Sequence, residues 1–194
     1  MKRALAVALV AACIGVYASV ATAQVPFVQV FFDADEFGEG YSETQSLCLS
    51  TSSVSNLYVV TQNWNMFVQA VEYQVQFPPQ VFYLGETPNT GVNDLFIGNS
   101  QTGMTIAYNL PQNGFAPIHL STLNVIGTGA CNCAAQTPYS IVVVGEPNGD
   151  PGKPRAVRWP DFAVVDGVGM TSLLCPGVVS TSQSTWGGIK ALYR

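Results

Sequence analysis

The stretch from Phe67 to Phe77 alternates side chains with a period of two, which is the pattern of a half-buried β-strand. One face would carry the mostly apolar set Phe67, Gln69, Val71, Tyr73, Val75 and Phe77, and the other the mostly polar set Val68, Ala70, Glu72, Gln74 and Gln76. A strand with one apolar and one polar face belongs in a two-layer sandwich. Helical periodicity is nearly absent before the last ten residues.

Other short runs rich in Val, Ile, Phe, Tyr and Thr recur between clusters of turn residues such as Asn109–Gly114. We predict further strands at Phe27–Phe32, Asn56–Gln62, Val81–Leu84, Leu95–Ile97, Met104–Tyr108, Ile118–Val125, Tyr139–Val144, Phe162–Val165 and Ser172–Cys175. Ile141–Val144 is apolar throughout, which is typical of a central strand. The pattern predicts an all-β fold, a single antiparallel β-sandwich of about nine strands.

The N-terminus has the three parts of a secretory signal peptide. Lys2 and Arg3 are followed by the uncharged apolar stretch Ala4–Val20 and by Ala21-Thr22-Ala23, which predicts cleavage before Gln24. Residues 1–23 are therefore expected to be removed, and the protein to be secreted or held at the cell surface. No later apolar run reaches the roughly 20 residues of a membrane span, so we expect no membrane insertion after cleavage.

The charge of the predicted mature segment excludes two classes of partner. Five basic residues stand against twelve acidic ones, a formal net charge of −7, and all five follow residue 150. Nucleic acid and anionic lipid both require a basic surface, which residues 24–150 do not offer.

Four cysteines remain after signal removal, and an even number in an exported chain predicts disulfides. A bond between Cys131 and Cys133 is disfavoured, since their separation in an extended segment requires strain. Cys48 and Cys175 are then each expected to bond one member of that pair. Zinc is the alternative, but the chain has a single histidine and lacks the spacing of a zinc ribbon or finger.

The chain divides into a sandwich domain at residues 24–179, a Ser/Thr linker at 180–185 and a tail at 186–194. Thr185 can cap a short tail helix that places Trp186, Ile189, Leu192 and Tyr193 on one face. We expect this apolar face to dock on the sandwich. The alternative is recognition of the tail by a sorting or assembly partner.

The densest acidic run includes Asp33, Asp35 and Glu36. Carboxylate oxygens of this kind can bind calcium outside the cell, and calcium is the only cofactor that the sequence suggests. A solvated acidic loop is the alternative, and we favour it because the later bidentate acid of a calcium loop is not in position.

No catalytic constellation is present in the sequence. His119 is the only histidine, it is expected on a strand, and no G-x-S-x-G nucleophile motif accompanies it. The chain is therefore predicted not to be an enzyme.

Four aromatic residues fall in or near predicted turns, where a ring can stack on a sugar. They are Tyr41, Trp64, Phe115 and Trp159, with Trp64 between Asn63 and Asn65 as the first glycan-binding candidate. The alternative for Trp64 is a ring that caps the core.

Three segments resemble the cohesin-like and related immunoglobulin-like sandwiches of exported bacterial proteins: Val28–Asp33, Leu57–Val60, and the Phe67–Phe77 strand followed by Pro78-Pro79. The tail Thr185–Arg194 is similar to the closing segments of secreted proteins from environmental bacteria. The resemblance covers most of the mature segment and implies a binding or scaffolding role, but it transfers no site residues.

These observations predict a secreted, non-enzymatic module for adhesion or for extracellular surface or matrix assembly, with an extracellular protein as partner. The alternative is a carbohydrate-binding module that uses loop aromatics and takes a glycan as partner. A glycoside hydrolase comes third. Among twelve acids some pair always lies at a suitable distance, so the sequence carries no specific signal for this activity. The sequence leaves the oligomeric state open.

Overall fold

The computed structural model describes residues 24–32, 44–45, 49–91, 93–128 and 139–174. These residues form thirteen strands: β1 Phe27–Phe31, β2 Thr44–Gln45, β3 Ser55–Gln62, β4 Phe67–Gln76, β5 Val81–Pro88, β6 Leu95–Asn99, β7 Gly103–Asn113, β8 Ile118–Gly127, β9 Tyr139–Val144, β10 Arg155–Trp159, β11 Val164–Asp166, β12 Val168–Gly169 and β13 Thr171–Leu174. The described part of the chain contains no helix that could cross a membrane.

The strands form two sheets that face each other, so the predicted all-β sandwich is confirmed. The smaller sheet has the order β12-β1-β3-β8-β5. The larger has the order β11-β10-β4-β9-β13-β2, with β7 also paired to β4 and β6 paired to β7. Pairing is antiparallel except for two short parallel pairs, β1 with β12 and β13 with β2. As predicted, β9 is a central strand, between β4 and β13.

The core lies between the sheets and is built from alternating side chains of facing strands. Val71, Tyr73 and Val75 of β4 and Leu123 and Val125 of β8 are all at most 1% exposed. Each fully buried side chain of this size contributes on the order of 1.5–3 kcal/mol. The period-two pattern of the sequence thus correctly predicts that Val71, Tyr73 and Val75 face the core.

The first residues of β4 depart from the predicted alternation. In the pairing with β10, Gln69 is an extra residue of β4 between Val68 and Ala70, and this bulge exchanges the two faces. Val68 is completely buried, whereas Phe67 is 50% exposed. The prediction that Phe67 shares a face with Tyr73 is therefore wrong.

One complete strand, β10, was not predicted from the sequence. Arg155 and Arg158 interrupt the apolar pattern that indicates a strand. Ala156 between them is nevertheless buried, and an acid on the neighbouring strand pairs with Arg155. The Nη2 of Arg155 lies 2.5 Å from Oε1 of Glu72 on β4, and both side chains are about a quarter exposed. The short strands β2 and β12 were also missed.

The predicted turn at residues 109–114 is largely strand, because β7 continues to Asn113. Pro111 is tolerated there since β6 pairs only with residues 103–107 of β7, which leaves the outer edge beyond them without a ladder partner in the described residues. The predicted strand Phe162–Val165 is displaced, and β11 begins only at Val164.

Several predictions lie outside the described residues. They concern the signal peptide at 1–23, the linker at 180–185, the tail at 186–194, the four cysteines Cys48, Cys131, Cys133 and Cys175, the acidic residues Asp33, Asp35 and Glu36, and Tyr41.

Candidate functional site

Trp64, the first glycan-binding candidate from the sequence, is part of the core. Its side chain is 5% exposed, and its indole N–H donates a hydrogen bond to the hydroxyl of Thr61. That hydroxyl in turn donates to the carbonyl of Phe27 at 2.7 Å, which connects β3 to β1. A ring in this position has no free face for a sugar, so Trp64 caps the core, which was the favoured alternative from the sequence.

Four other aromatic rings are exposed at the same end of the sandwich, and we call them the aromatic row: Phe67, Phe115, Trp159 and Phe162. Their exposed fractions range from 44% to 63%. Phe115 meets Phe67 edge to face at 6.1 Å between ring centroids, and Trp159 meets Phe162 in the same way at 5.4 Å. Phe67 and Trp159 are direct partners in the β4–β10 pairing, so their side chains leave the same face of the larger sheet.

Phe115 is held by a turn that is anchored to the chain before β4. The amide of Gly114 donates to the carbonyl of Met66 at 3.0 Å, and the Gly114 carbonyl accepts from the amide of Asn65. A Cβ at residue 114 would lie 2.5 Å from that Met66 carbonyl oxygen, so this close approach requires glycine. The amide of Phe115 donates to Oδ1 of Asn113 at 3.1 Å.

The other end of the row is held by the turn between β10 and β11. Arg158 contacts Asp161 through two hydrogen bonds, Nε to Oδ1 at 2.9 Å and Nη2 to Oδ2 at 2.5 Å. The guanidinium of Arg158 lowers the pKa of Asp161 to about 2. The amide of Phe162 donates to the Arg158 carbonyl at 2.9 Å, and this closes the turn that presents both rings.

A cleft of about 680 Å³ with a mixed polar and apolar lining adjoins the turn that carries Phe115, through Asn113 and Ala116. Its walls are the connection between β5 and β6, the second half of β7, and the start of β8. The pairing of β4 with β7 explains its existence. Ala70 is opposite Ala107 and Val68 is opposite Gln112, so four residues of β7 face a single residue of β4. Residues 108–111 bulge outward as a result, and Gln69 supports the bulge by donating to the Tyr108 carbonyl.

The charged and titratable groups of the cleft are held by the protein itself. Oδ1 of Asp94 accepts from the amide of Asn109 at 2.7 Å, and Oδ2 accepts from the amide of Gly91 at 2.5 Å. His119 is half-buried on β8, with Nε2 at 3.2 Å from the Thr122 hydroxyl, and burial lowers its pKa. The prediction that His119 lies on a strand is confirmed.

Tyr108 lies below the cleft, 3% exposed, and its hydroxyl has no hydrogen-bond partner among the described residues. Burial raises its pKa, and the negative charge of Asp94 raises it further. The hydroxyl therefore stays protonated throughout the physiological range.

A second feature is the side of the sandwich where β5 and β6 are both edge strands, which we call the open side. Within the described residues β5 pairs with β8 alone and β6 with β7 alone. Glu86 of β5 accepts a hydrogen bond from the amide of Ser100, just after β6, at 2.5 Å, so the two edges lie together. Leu95, Phe96 and Ile97 of β6 are 49–63% exposed.

The described residues contain no cluster of three or more His, Cys, Asp or Glu side chains that could hold a metal ion. The acidic calcium candidates lie outside these residues, so the calcium prediction stays a prediction.

Phe115 and Trp159, two of the glycan candidates, thus lie in one row. The two rings between them, Phe67 and Phe162, were not glycan candidates from the sequence. Phe67 was assigned to the core face, and only the bulge in β4 exposes it. The cleft was missed as well, because the Asn- and Pro-rich segment 109–114 is also typical of an ordinary turn.

No family model matches the sequence, and no curated protein matches it. The solved structures that the chain resembles include cohesin modules, the kind of sandwich that the sequence resemblance predicted. The third ScaB cohesin of R. flavefaciens, solved in complex with a group 1 dockerin, is 11% identical, with a TM-score of 0.46 over 76% of this chain and 92% of its own.

Two further cohesins are similar at the same level. The seventh ScaB type I cohesin of Pseudobacteroides cellulosolvens is 5% identical, with a TM-score of 0.43 over 77% of this chain and 90% of its own. The second type II cohesin module of the adaptor ScaA scaffoldin of Acetivibrio cellulolyticus is 13% identical, with a TM-score of 0.36 over 88% and 99%. At these identities and TM-scores, no property of the cohesins is carried over to this chain.

Proposed function

We propose that the protein is a non-enzymatic module for adhesion or extracellular assembly, and that it binds a protein partner along the open side. The observation that carries the proposal is strand β6. Three consecutive large apolar residues, Leu95, Phe96 and Ile97, are exposed on a strand whose outer edge has no ladder partner within the described residues.

Natural proteins usually protect such an edge with charged side chains or proline. Strand β6 has neither, since Leu95–Asn99 reads Leu-Phe-Ile-Gly-Asn. The nearest acid, Asp94, is turned toward backbone amides and does not shield the edge. An edge of this kind is suited to strand addition, in which a partner backbone supplies affinity and exposed side chains supply specificity.

The adjoining edge extends the apolar area. Phe82 and Leu84 of β5 are exposed by 58% and 48%. Aromatic and aliphatic side chains in a group are typical of protein contact surfaces, and isolated ones are not. A partner strand paired with β6 would therefore lie near these side chains, on the same side of the sandwich.

An extracellular location is part of the proposal. Its support is the sequence of residues 1–23, with Lys2 and Arg3, the apolar stretch and the small residues before Gln24. Mass spectrometry of the protein purified from the producing cells tests this part, and a mature N-terminus at Gln24 is the expected result. A retained Met1 would contradict it.

The partner surface is tested by substituting Ile97→Lys in the exported protein. A lysine on β6 introduces a charge that a partner strand must desolvate, so we expect affinity for the partner to fall about tenfold or more. The partner is first isolated from extracellular material of the producing cells on immobilised wild-type protein, and its affinity for each variant is then measured.

The matched control is Val164→Lys, which places the same charge on another edge strand, β11, at a residue of similar exposure. Affinity should be unchanged in this control. Equal loss in both variants, no loss in either, or failure of wild-type protein to retain any protein would overturn the proposal.

A further inference from the structure

We propose that the cleft formed by the bulge of β7, together with Phe115, is a binding site for an uncharged saccharide. The cleft adjoins the start of β6 at Asp94 but is not lined by the exposed residues Leu95, Phe96 and Ile97, so this inference is independent of the protein-binding function proposed above.

Three amide side chains line the cleft. Each is held by one hydrogen bond to the protein and keeps another polar atom without a partner in the described residues. Nδ2 of Asn89 donates to the His119 carbonyl at 3.0 Å, Nε2 of Gln112 donates to the Leu110 carbonyl at 3.0 Å, and Oδ1 of Asn113 accepts from the Phe115 amide at 3.1 Å.

The remaining atoms form a mixed set of acceptors and donors. The side-chain oxygens of Asn89 and Gln112 can accept, and the side-chain NH₂ of Asn113 can donate. A sugar hydroxyl is donor and acceptor at once, so it can satisfy groups of both kinds. Because the side chains are already fixed, little conformational entropy is lost when a ligand binds.

The charge of the cleft selects against anions. No Lys or Arg lines it, and burial lowers the pKa of His119, which keeps the imidazole neutral at neutral pH. The carboxylate of Asp94 is occupied by the amides of Gly91 and Asn109. An anionic ligand would find no counter-charge there, whereas a neutral polyhydroxylated one meets partly neutralised groups.

Phe115 is 63% exposed, and it lies between Asn113 and Ala116, which both line the cleft. The edge of a sugar ring that carries C–H groups packs on the face of an aromatic ring. Phe67 supports Phe115 from the side at 6.1 Å and fixes its orientation. A cleft of about 680 Å³ is within the range of small-molecule sites, roughly 300–1,000 Å³.

The test is titration of the exported full-length protein with neutral oligosaccharides of glucose, xylose, mannose, galactose and N-acetylglucosamine, followed by calorimetry and by NMR. We expect one class to bind, and Phe115→Ala and Asn113→Ala to weaken its binding about tenfold each. Leu110→Trp, at a highly exposed residue of the cleft, should block binding without loss of thermal stability.

The matched control is Phe162→Ala, which removes an equally exposed ring at the far end of the aromatic row. Binding should be unchanged. No binding of any of these sugars at millimolar concentration, preference for an anionic sugar, or equal weakening by Phe162→Ala would overturn the inference. Ile97→Lys should leave sugar binding intact, so failure of the two proposals can be told apart.

Discussion

The hydroxyl of Tyr73 lies 3.0 Å from the hydroxyl oxygen of Ser121, and this hydrogen bond joins the two sheets inside the core. The same tyrosine oxygen lies 3.2 Å from the hydroxyl oxygen of Ser100, and the Ser100 hydroxyl donates to the carboxylate of Glu86. All residues of this hydrogen-bond network except Glu86 are completely buried. The network therefore runs from β8 through the core to the open side.

Replacement Tyr73→Phe should lower the free energy of unfolding by about 1–3 kcal/mol, because it leaves the buried hydroxyl of Ser121 without a partner. Urea unfolding at neutral pH measures the effect. The control is Tyr83→Phe, which removes a hydroxyl that donates to Glu86 at 3.1 Å from a half-buried position. A loss in the control as large as that in Tyr73→Phe would contradict a special role for the core bond.

Stability should fall as the pH rises above 10. Burial raises the pKa of Tyr73 above its ordinary value of 10.0 and does the same for Tyr108. Above pH 10 the unfolded chain releases phenolic protons that the folded chain retains, so the contribution present below pH 10 is progressively lost. Each such tyrosine steepens the decline by about 1.4 kcal/mol per pH unit.

Urea unfolding between pH 9 and pH 11.5 tests this alkaline decline. Tyr73→Phe removes one of the responsible groups, so its decline with pH should be shallower than that of the wild type. Identical slopes in the two proteins would show that Tyr73 ionises equally well in both states.

Trp64 and Trp159 should differ sharply in their effect on stability. Trp64→Ala removes a buried ring and the hydrogen bond to Thr61, and should cost about 3–5 kcal/mol. Trp159→Ala removes a ring that is 44% exposed and should cost about 1 kcal/mol or less. Thermal unfolding of the two variants distinguishes a core-capping residue from a surface one, and equal costs would be inconsistent with the burial described here.

Two glycines with positive φ test the backbone of the open side. Gly98 of β6 has a φ of 83°, and a Cβ there would lie 2.1 Å from the carbonyl oxygen of Gly103. Gly85 of β5 has a φ of 144°, but a Cβ there would meet no atom within 4 Å. Alanine should therefore cost about 1 kcal/mol at Gly85 and about 3 kcal/mol at Gly98, where overpacking adds to the strain.

Chemical denaturation of Gly98→Ala and Gly85→Ala provides the comparison. The test is which of the two variants loses more free energy of unfolding, since both have the same change from glycine to alanine. A larger loss at Gly85 would contradict the close approach of the β6–β7 turn.

The sequence by itself determined the all-β class and most of the strands, because alternation with a period of two is a local property of the chain. The central position of β9 followed from its apolar run, and His119 was correctly placed on a strand. These inferences require no knowledge of which strand lies beside which.

Tertiary structure decided where the candidate sites are. The four-residue bulge of β7 opposite Gln69, which opens the cleft, is seen only in the pairing with β4. The extra residue Gln69 of β4, which turns Phe67 outward, is seen only in the pairing with β10. Trp64 carries the same local signals as an exposed turn aromatic, yet it is buried, with the distant residues Gly114 and Gly167 packed closely against it. Arg155 interrupts the strand pattern of β10 in the sequence, and its partner Glu72 is 83 positions earlier in the chain. In each case the deciding interaction is between residues far apart in sequence, and a local pattern carries no information about it.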